Sequence, residues 1–109
     1  MAVWRTKAYE LFNLQAGAYS YADGKRGLFF DLVGWARDAI EDDDSSRLTT
    51  IVDYVVWAAA QSSDELASVV DLAFFLPVFR DPHLSALLIP HFPQQLITEK
   101  WELLMEEPA

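Results

Sequence analysis

No stretch narrows the possible folds more than residues 62–76, Ser-Ser-Asp-Glu-Leu-Ala-Ser-Val-Val-Asp-Leu-Ala-Phe-Phe-Leu. The pattern predicts a helix with a marked start and stop. Ser62 and Glu65 stand at capping-box spacing, where each side chain accepts a hydrogen bond from a backbone N–H that lacks a helical partner. Asp64 and Glu65 put negative charge at the positive end of the helix dipole. Pro77 predicts the stop, because a residue before proline is pushed away from helical geometry. Leu66, Val69, Val70, Ala73 and Phe74 follow the i, i+3, i+4, i+7, i+8 stripe. Leu72, Phe75 and Leu76 widen the stripe until little polar face is left. Such a helix packs among other helices, so the chain must supply several. Asp71 is the charge inside the apolar run. It is either paired internally, with Arg37, Arg47 or Arg80 as candidates, or exposed beside Ser68.

The remaining segments supply those neighbours. A helix over about 2–15 carries Val3 or Trp4, Ala8, Leu11 and Phe12 on one face. Residues 16–24 read as an ordered loop, with Gly17 suited to a left-handed C-cap and Tyr19 and Tyr21 packed onto the bundle. A second strong helix runs from about 25 to 40 or 41, with Leu28, Phe29, Leu32, Val33, Ala36 and Ile40 as its stripe. The acids of 41–44 interrupt it, and Asp44, Ser45 or Ser46 can cap the next helix. That third helix, 46–61, turns Leu48, Ile51, Val52, Val55, Ala58 and Ala59 inward. Its β-branched run 51–57 has strand character, but the helical period extends beyond it. Asp81-Pro82 suits N-cap and N1 of a short helix over 83–89, closed by Pro90. A last helix over 93–105 presents Leu96, Ile97, Trp101, Leu104 and Met105, before a frayed acidic tail. The fold class is therefore all-α: one domain over 1–109, a bundle of five to six helices whose antiparallel pairs could stack as a short α-solenoid.

Composition narrows the function. Hydrophobic residues make up 52% of the 109 residues, enough to argue for a packed core against disorder. Seventeen acids against eight bases give a net charge of -9, which disfavours nucleic acid or an anionic membrane as partner and suits a basic protein. There are no cysteines, so disulfide frameworks and thiol chemistry are excluded. The first residues lack the apolar run of a signal peptide, and no segment reaches the roughly 18 apolar residues of a membrane span. A cytoplasmic protein is expected.

Catalytic motifs are missing. His83 and His91 stand eight apart, a spacing that matches no familiar metal pair. The acids Glu41, Asp42, Asp43 and Asp44 lack the EF-hand pattern, because Arg47 falls where its glycine belongs. Serines sit at helix starts, where capping explains them, and no G-x-S-x-G or Ser-x-x-Lys occurs. Neither a metal nor another cofactor is expected. More informative is one face of the third helix, where Asp53, Tyr54 and Trp57 lie off the aliphatic stripe. Tyr and Trp are enriched in binding hot spots. With Glu41, Asp42, Asp43 and Asp44 just upstream, these residues form the expected partner-binding surface; the competing reading buries Trp57 and Tyr54 against Phe75 or the N-terminal aromatics.

The central stretch 64–76, followed by a proline-delimited helix and Trp101 in a small, acidic, cysteine-free chain, resembles the small helical immunity proteins of bacterial toxin systems. The resemblance covers roughly 28–104. It implies a non-enzymatic protein that binds a basic toxin domain in the producing cell's cytoplasm and blocks it. Related chains often carry a Glu near the end of the central helix. Phe75-Leu76-Pro77 stands there in this chain, so no binding residue carries over. Two other readings compete: a structural subunit or homodimer that covers its own apolar surface, and a small enzyme using Asp81, His83 and His91.

Overall fold

A computed structural model describes residues 2–61 and 64–106, apart from the Asp64 side chain. Among the described residues there are six helices and no strand. They are α1 (Val3–Phe12), α2 (Gly24–Glu41), α3 (Ser45–Ala59), α4 (three contiguous segments, Asp64–Val70, Asp71–Phe75 and Leu76–Arg80), α5 (Pro82–Leu88) and α6 (Gln94–Leu104). The radius of gyration is 13.6 Å, close to the roughly 13 Å expected of one compact unit this long. The chain is an all-α bundle in a single globule.

The α2–α3 hairpin is the frame. Leu28, Phe29, Leu32, Val33 and Ala36 of α2 are buried, as are Leu48, Ile51, Val52, Val55 and Ala58 of α3. Small residues such as Ala36, Ala39 and Ala58 let the helices approach closely. The start of α2 depends on a missing side chain: a Cβ on Gly24 would lie 1.9 Å from the Tyr19 carbonyl oxygen. Helix α1 lies across the hairpin. It ends at Phe12 with Asn13 in the left-handed conformation (φ 53°), so the C-cap is Asn13 rather than the expected Gly17. Gly17 also has positive φ, but within the following turn. Tyr19 packs onto the core, whereas Tyr21 is exposed.

Helix α4 departs from expectation at Pro77. It does not stop there. Its middle segment, Asp71–Phe75, is a π-turn, in which the Leu76 N–H donates to the carbonyl of Asp71, five residues back. In a regular α-helix the Pro77 ring would press on the carbonyl four residues earlier and leave it without a donor. The π-turn stands directly before the proline, where five-residue bonding replaces the four-residue pattern that Pro77 would break. The helix instead ends at Arg80, where Asp81 is extended (φ -108°, ψ 108°) ahead of Pro82. The rule about residues preceding proline thus acts at Pro82, where the chain bends by 110°. Asp81 caps α5 as expected, its Oδ1 accepting from the backbone N–H groups of His83 and Leu84. At the other end of α4, Ser62 lies outside the described residues, while Glu65 pairs with Lys25 at 2.7 Å.

Asp71 is buried, and its partner is Lys100 of α6 rather than Arg37, Arg47 or Arg80. The ammonium lies 2.9 Å from Oδ1, with both side chains almost wholly covered. That oxygen has no partner in good hydrogen-bond geometry, so the contact acts as an ion pair. It ties α6 to the π-turn. Beside it, Phe74, Phe75, Phe79, Phe92 and Trp101 form a chain of aromatic contacts with centroids 5.2–5.9 Å apart. Helix α6 itself buries no residue completely.

Among the described residues no single helix is long and apolar enough to cross a membrane. One bent pair, Glu65–Arg80 with Pro82–His91, has the length and composition. Its Phe74, Phe75, Val78 and Leu88 are in the core of the bundle.

Candidate functional site

The α2–α3 connection is an anionic corner with a defined backbone. Helix α2 ends in a Schellman motif: the N–H of Asp44 donates to the Ala39 carbonyl (2.8 Å), and that of Asp43 to the Ile40 carbonyl (3.1 Å). Asp43 occupies the left-handed position of the motif (φ 55°), where glycine is the usual residue. Asp44 then caps α3, its Oδ1 accepting from the Arg47 N–H at 3.1 Å. Two acids at this corner have counter-charges: Asp42 lies 3.6 Å from Arg47, and Asp38 lies 3.8 Å from Arg37. Among the described residues Glu41, Asp43 and Asp44 have no ion pair. Glu41 and Asp43 also sit at the negative end of the α2 dipole, an unfavourable place for an acid and a favourable one for a visiting cation.

A groove of about 620 Å³ opens beside this corner. Its apolar lining comes from Leu11 and Phe12 at the end of α1, from Leu14 just beyond it, from Trp35 of α2 and from Ile51 of α3. Phe12 and Trp35 meet at 5.9 Å, tilted by 59°. Asn13, Asp38, Asp44, Ser46, Arg47 and Thr50 complete the lining. The groove exists because α1 stops at Asn13, leaving the first turns of α3 uncovered.

The expected binding residues are not all available. Tyr54 is corrected outright: its relative exposure is 0%. Its ring stacks on Phe29 at 5.6 Å, meets Phe12 edge-on at 5.3 Å, and its hydroxyl donates to the Trp4 carbonyl at 2.8 Å. Burial pushes its phenol well above the ordinary tyrosine range. Tyr54 holds α1 onto the hairpin and has no surface to offer a partner.

Trp57 is half-buried on Tyr54 and lies under the Lys7 ammonium, 5.0 Å from the ring centroid. It lines a smaller hollow of about 360 Å³ with Val3, Thr6, Lys7 and Glu10. Asp53 is exposed between the two sites. At 1.5 Å per residue, Asp44 and Trp57 are about 20 Å apart along α3. The corner and the tryptophan are therefore two separate patches, which only a macromolecular partner could touch together.

Elsewhere, Asp81, His83 and His91 are exposed, and the Asp81 carboxylate is occupied in capping α5. Among the described residues no three His, Asp or Glu side chains come together in a way that could hold a metal ion. The sequence pattern alone does not mark Phe12, Trp35, Arg47 or Thr50 as site residues. The signal for Trp35 was its place beside the α2 stripe, within one turn of Asp38. The chain matches no protein-family model, no curated protein and no solved structure.

Proposed function

We propose that this chain is a non-enzymatic protein-binding module whose partner is cationic. Its resemblance to bacterial immunity proteins makes that partner a basic toxin domain, bound and neutralised in the cytoplasm. One observation carries the reading: among the described residues three carboxylates have no ion pair, Glu41 and Asp43 at the negative end of α2 and Asp44 capping α3, and they stand beside an open apolar groove. Charge of this kind accelerates association with an oppositely charged surface. Asp42 and the exposed Asp53 extend the field, and Trp57 supplies a second contact under Lys7.

The test is the association rate of the partner captured from native lysate, measured by stopped flow over a range of salt. The variant is Glu41→Lys with Asp43→Lys, which spares the Asp44 cap. It should associate more slowly at low salt and converge on the unmodified protein as screening increases. Equal rates at every salt concentration would falsify the reading.

A second reading, a homodimer, is favoured by exposed apolar residues in α4 and α6: Leu72 (52% exposed), Trp101 (40%) and Leu103 (65%). Analytical ultracentrifugation decides it, since a strict monomer at high concentration removes it.

A further inference from the structure

We infer that the groove between α1, α2 and α3 receives a protein segment presenting a bulky apolar side chain next to lysine or arginine. The inference rests on the protein-binding reading and specifies what that site recognises. Size and shape come first. About 620 Å³ falls within the range of ligand-binding pockets. The groove is open-sided, however, whereas small-molecule sites bury most of the ligand surface. A segment anchored elsewhere on the partner does not need that enclosure.

The floor selects the anchor. Phe12 and Trp35 offer tilted aromatic surface, and Leu11 at the rim is 42% exposed. An apolar side chain placed there displaces water from aromatic and aliphatic carbon, which is favourable in proportion to the area covered.

Charge complementarity selects the flanks. Arg47, the cation of the rim, is answered by Asp42 at 3.6 Å. Asp44, whose Oδ1 caps α3, lines the groove without an ion pair among the described residues, and Glu41 and Asp43 stand just beyond it at the negative end of α2. An acidic segment would meet these carboxylates at close range. A segment with Lys or Arg beside its anchor would find them already positioned.

The test uses the full ¹⁵N-labelled chain and three synthetic peptide amides: Arg-Leu-Leu-Arg, Glu-Leu-Leu-Glu and tetralysine. The readout is the indole N–H signal of Trp35, assigned with Trp35→Phe. Arg-Leu-Leu-Arg should shift it saturably, and more weakly in high salt. Thr50→Trp, which fills the groove, should abolish the shift, and Leu11→Lys, at an exposed position, should weaken it. An unmoved Trp35 signal, or equal shifts with the acidic peptide or tetralysine, overturns the inference.

A second arm separates this inference from the function it rests on. With the captured partner, Thr50→Trp should weaken binding by about tenfold, equivalent to roughly 1.4 kcal/mol. If Thr50→Trp binds normally while the Glu41→Lys, Asp43→Lys variant associates slowly, the groove assignment falls and the functional reading stands. If neither variant differs from the unmodified protein, both fall.

Discussion

Asp43 holds a backbone position that glycine would hold at lower energy, and replacing it tests both the corner's geometry and its purpose. At φ 55° an L-residue crowds its own Cβ against the following carbonyl. That conformation costs roughly 1–2 kcal/mol, with Asp near the low end. Glycine removes the crowding but gives back about 0.5–1 kcal/mol through the greater freedom of the unfolded chain. Loss of an acid from the negative end of α2 adds about 0.3–1 kcal/mol. The balance for Asp43→Gly is a gain of about 0.5–1 kcal/mol, or roughly 2–6 °C in Tm. Asp43→Ala removes the same carboxylate but keeps the strain, so it should fall below Asp43→Gly by about 1 kcal/mol. Urea denaturation with matched m-values measures both differences. If the Ala and Gly variants are equally stable, Asp43 is not held in the left-handed conformation and the corner is misread. The binding half of the experiment should run the opposite way. Asp43→Gly gives a sturdier protein with one carboxylate fewer, so it should associate more slowly with a cationic partner. A residue that lowers stability while serving recognition is a familiar trade-off.

Two other perturbations probe the scaffold. Tyr54→Phe deletes the hydroxyl bonded to the Trp4 carbonyl and should cost about 1 kcal/mol in chemical denaturation. Burial raises the Tyr54 pKa in the folded state, so its contribution is intact below the unfolded value and is lost as pH climbs. Thermal stability of the unmodified protein should therefore fall above about pH 10, and Tyr54→Phe should flatten that fall, leaving the part due to Tyr19, whose pKa is raised by burial and by its hydrogen bond to the Asp31 carboxylate. Lys100→Met leaves the Asp71 carboxylate buried without its cation and should cost about 3 kcal/mol. Adding Asp71→Leu should recover most of the loss, and a double-mutant cycle that is simply additive would refute the coupling.

Legibility in the sequence followed the range of the interactions. The spans of α2 and α3 could be read closely, because their stripes repeat over many turns and Asp44 is a local cap. The Asp81-Pro82 start of α5 was equally local. Pro77 does not stop α4, because its clash is with an α-helical bonding pattern and a π-turn stands directly before it. Asn13 rather than Gly17 is the C-cap of α1, directly after Phe12, whose ring meets Tyr54 and Trp35. The acids at 41–44 were visible as charge, but the groove beside them was not. It is formed where three helix segments remote in sequence fail to cover one another. Tyr54 sits between the apolar stripe of α3 and its polar side, a position that helical periodicity leaves undecided. Only the placement of α1 over it decides its burial.

The π-turn in α4 also has a meaning in terms of chain length. It holds one residue more than an α-helix of the same rise requires. One residue corresponds to about 100° of rotation, so the two halves of α4 are out of phase. Leu66 and Val70 bury in the half that packs on α2 and α3, and Val78 and Phe79 bury in the half that meets α5 and the Trp101 ring. A strictly periodic helix could not aim its apolar residues at both sets of neighbours. The surplus residue works as a phase shifter, and the number of residues between Val70 and Leu76 matters as much as their identities. A one-residue deletion there would leave the composition almost unchanged and still turn the second half of the helix away from the partners it now serves.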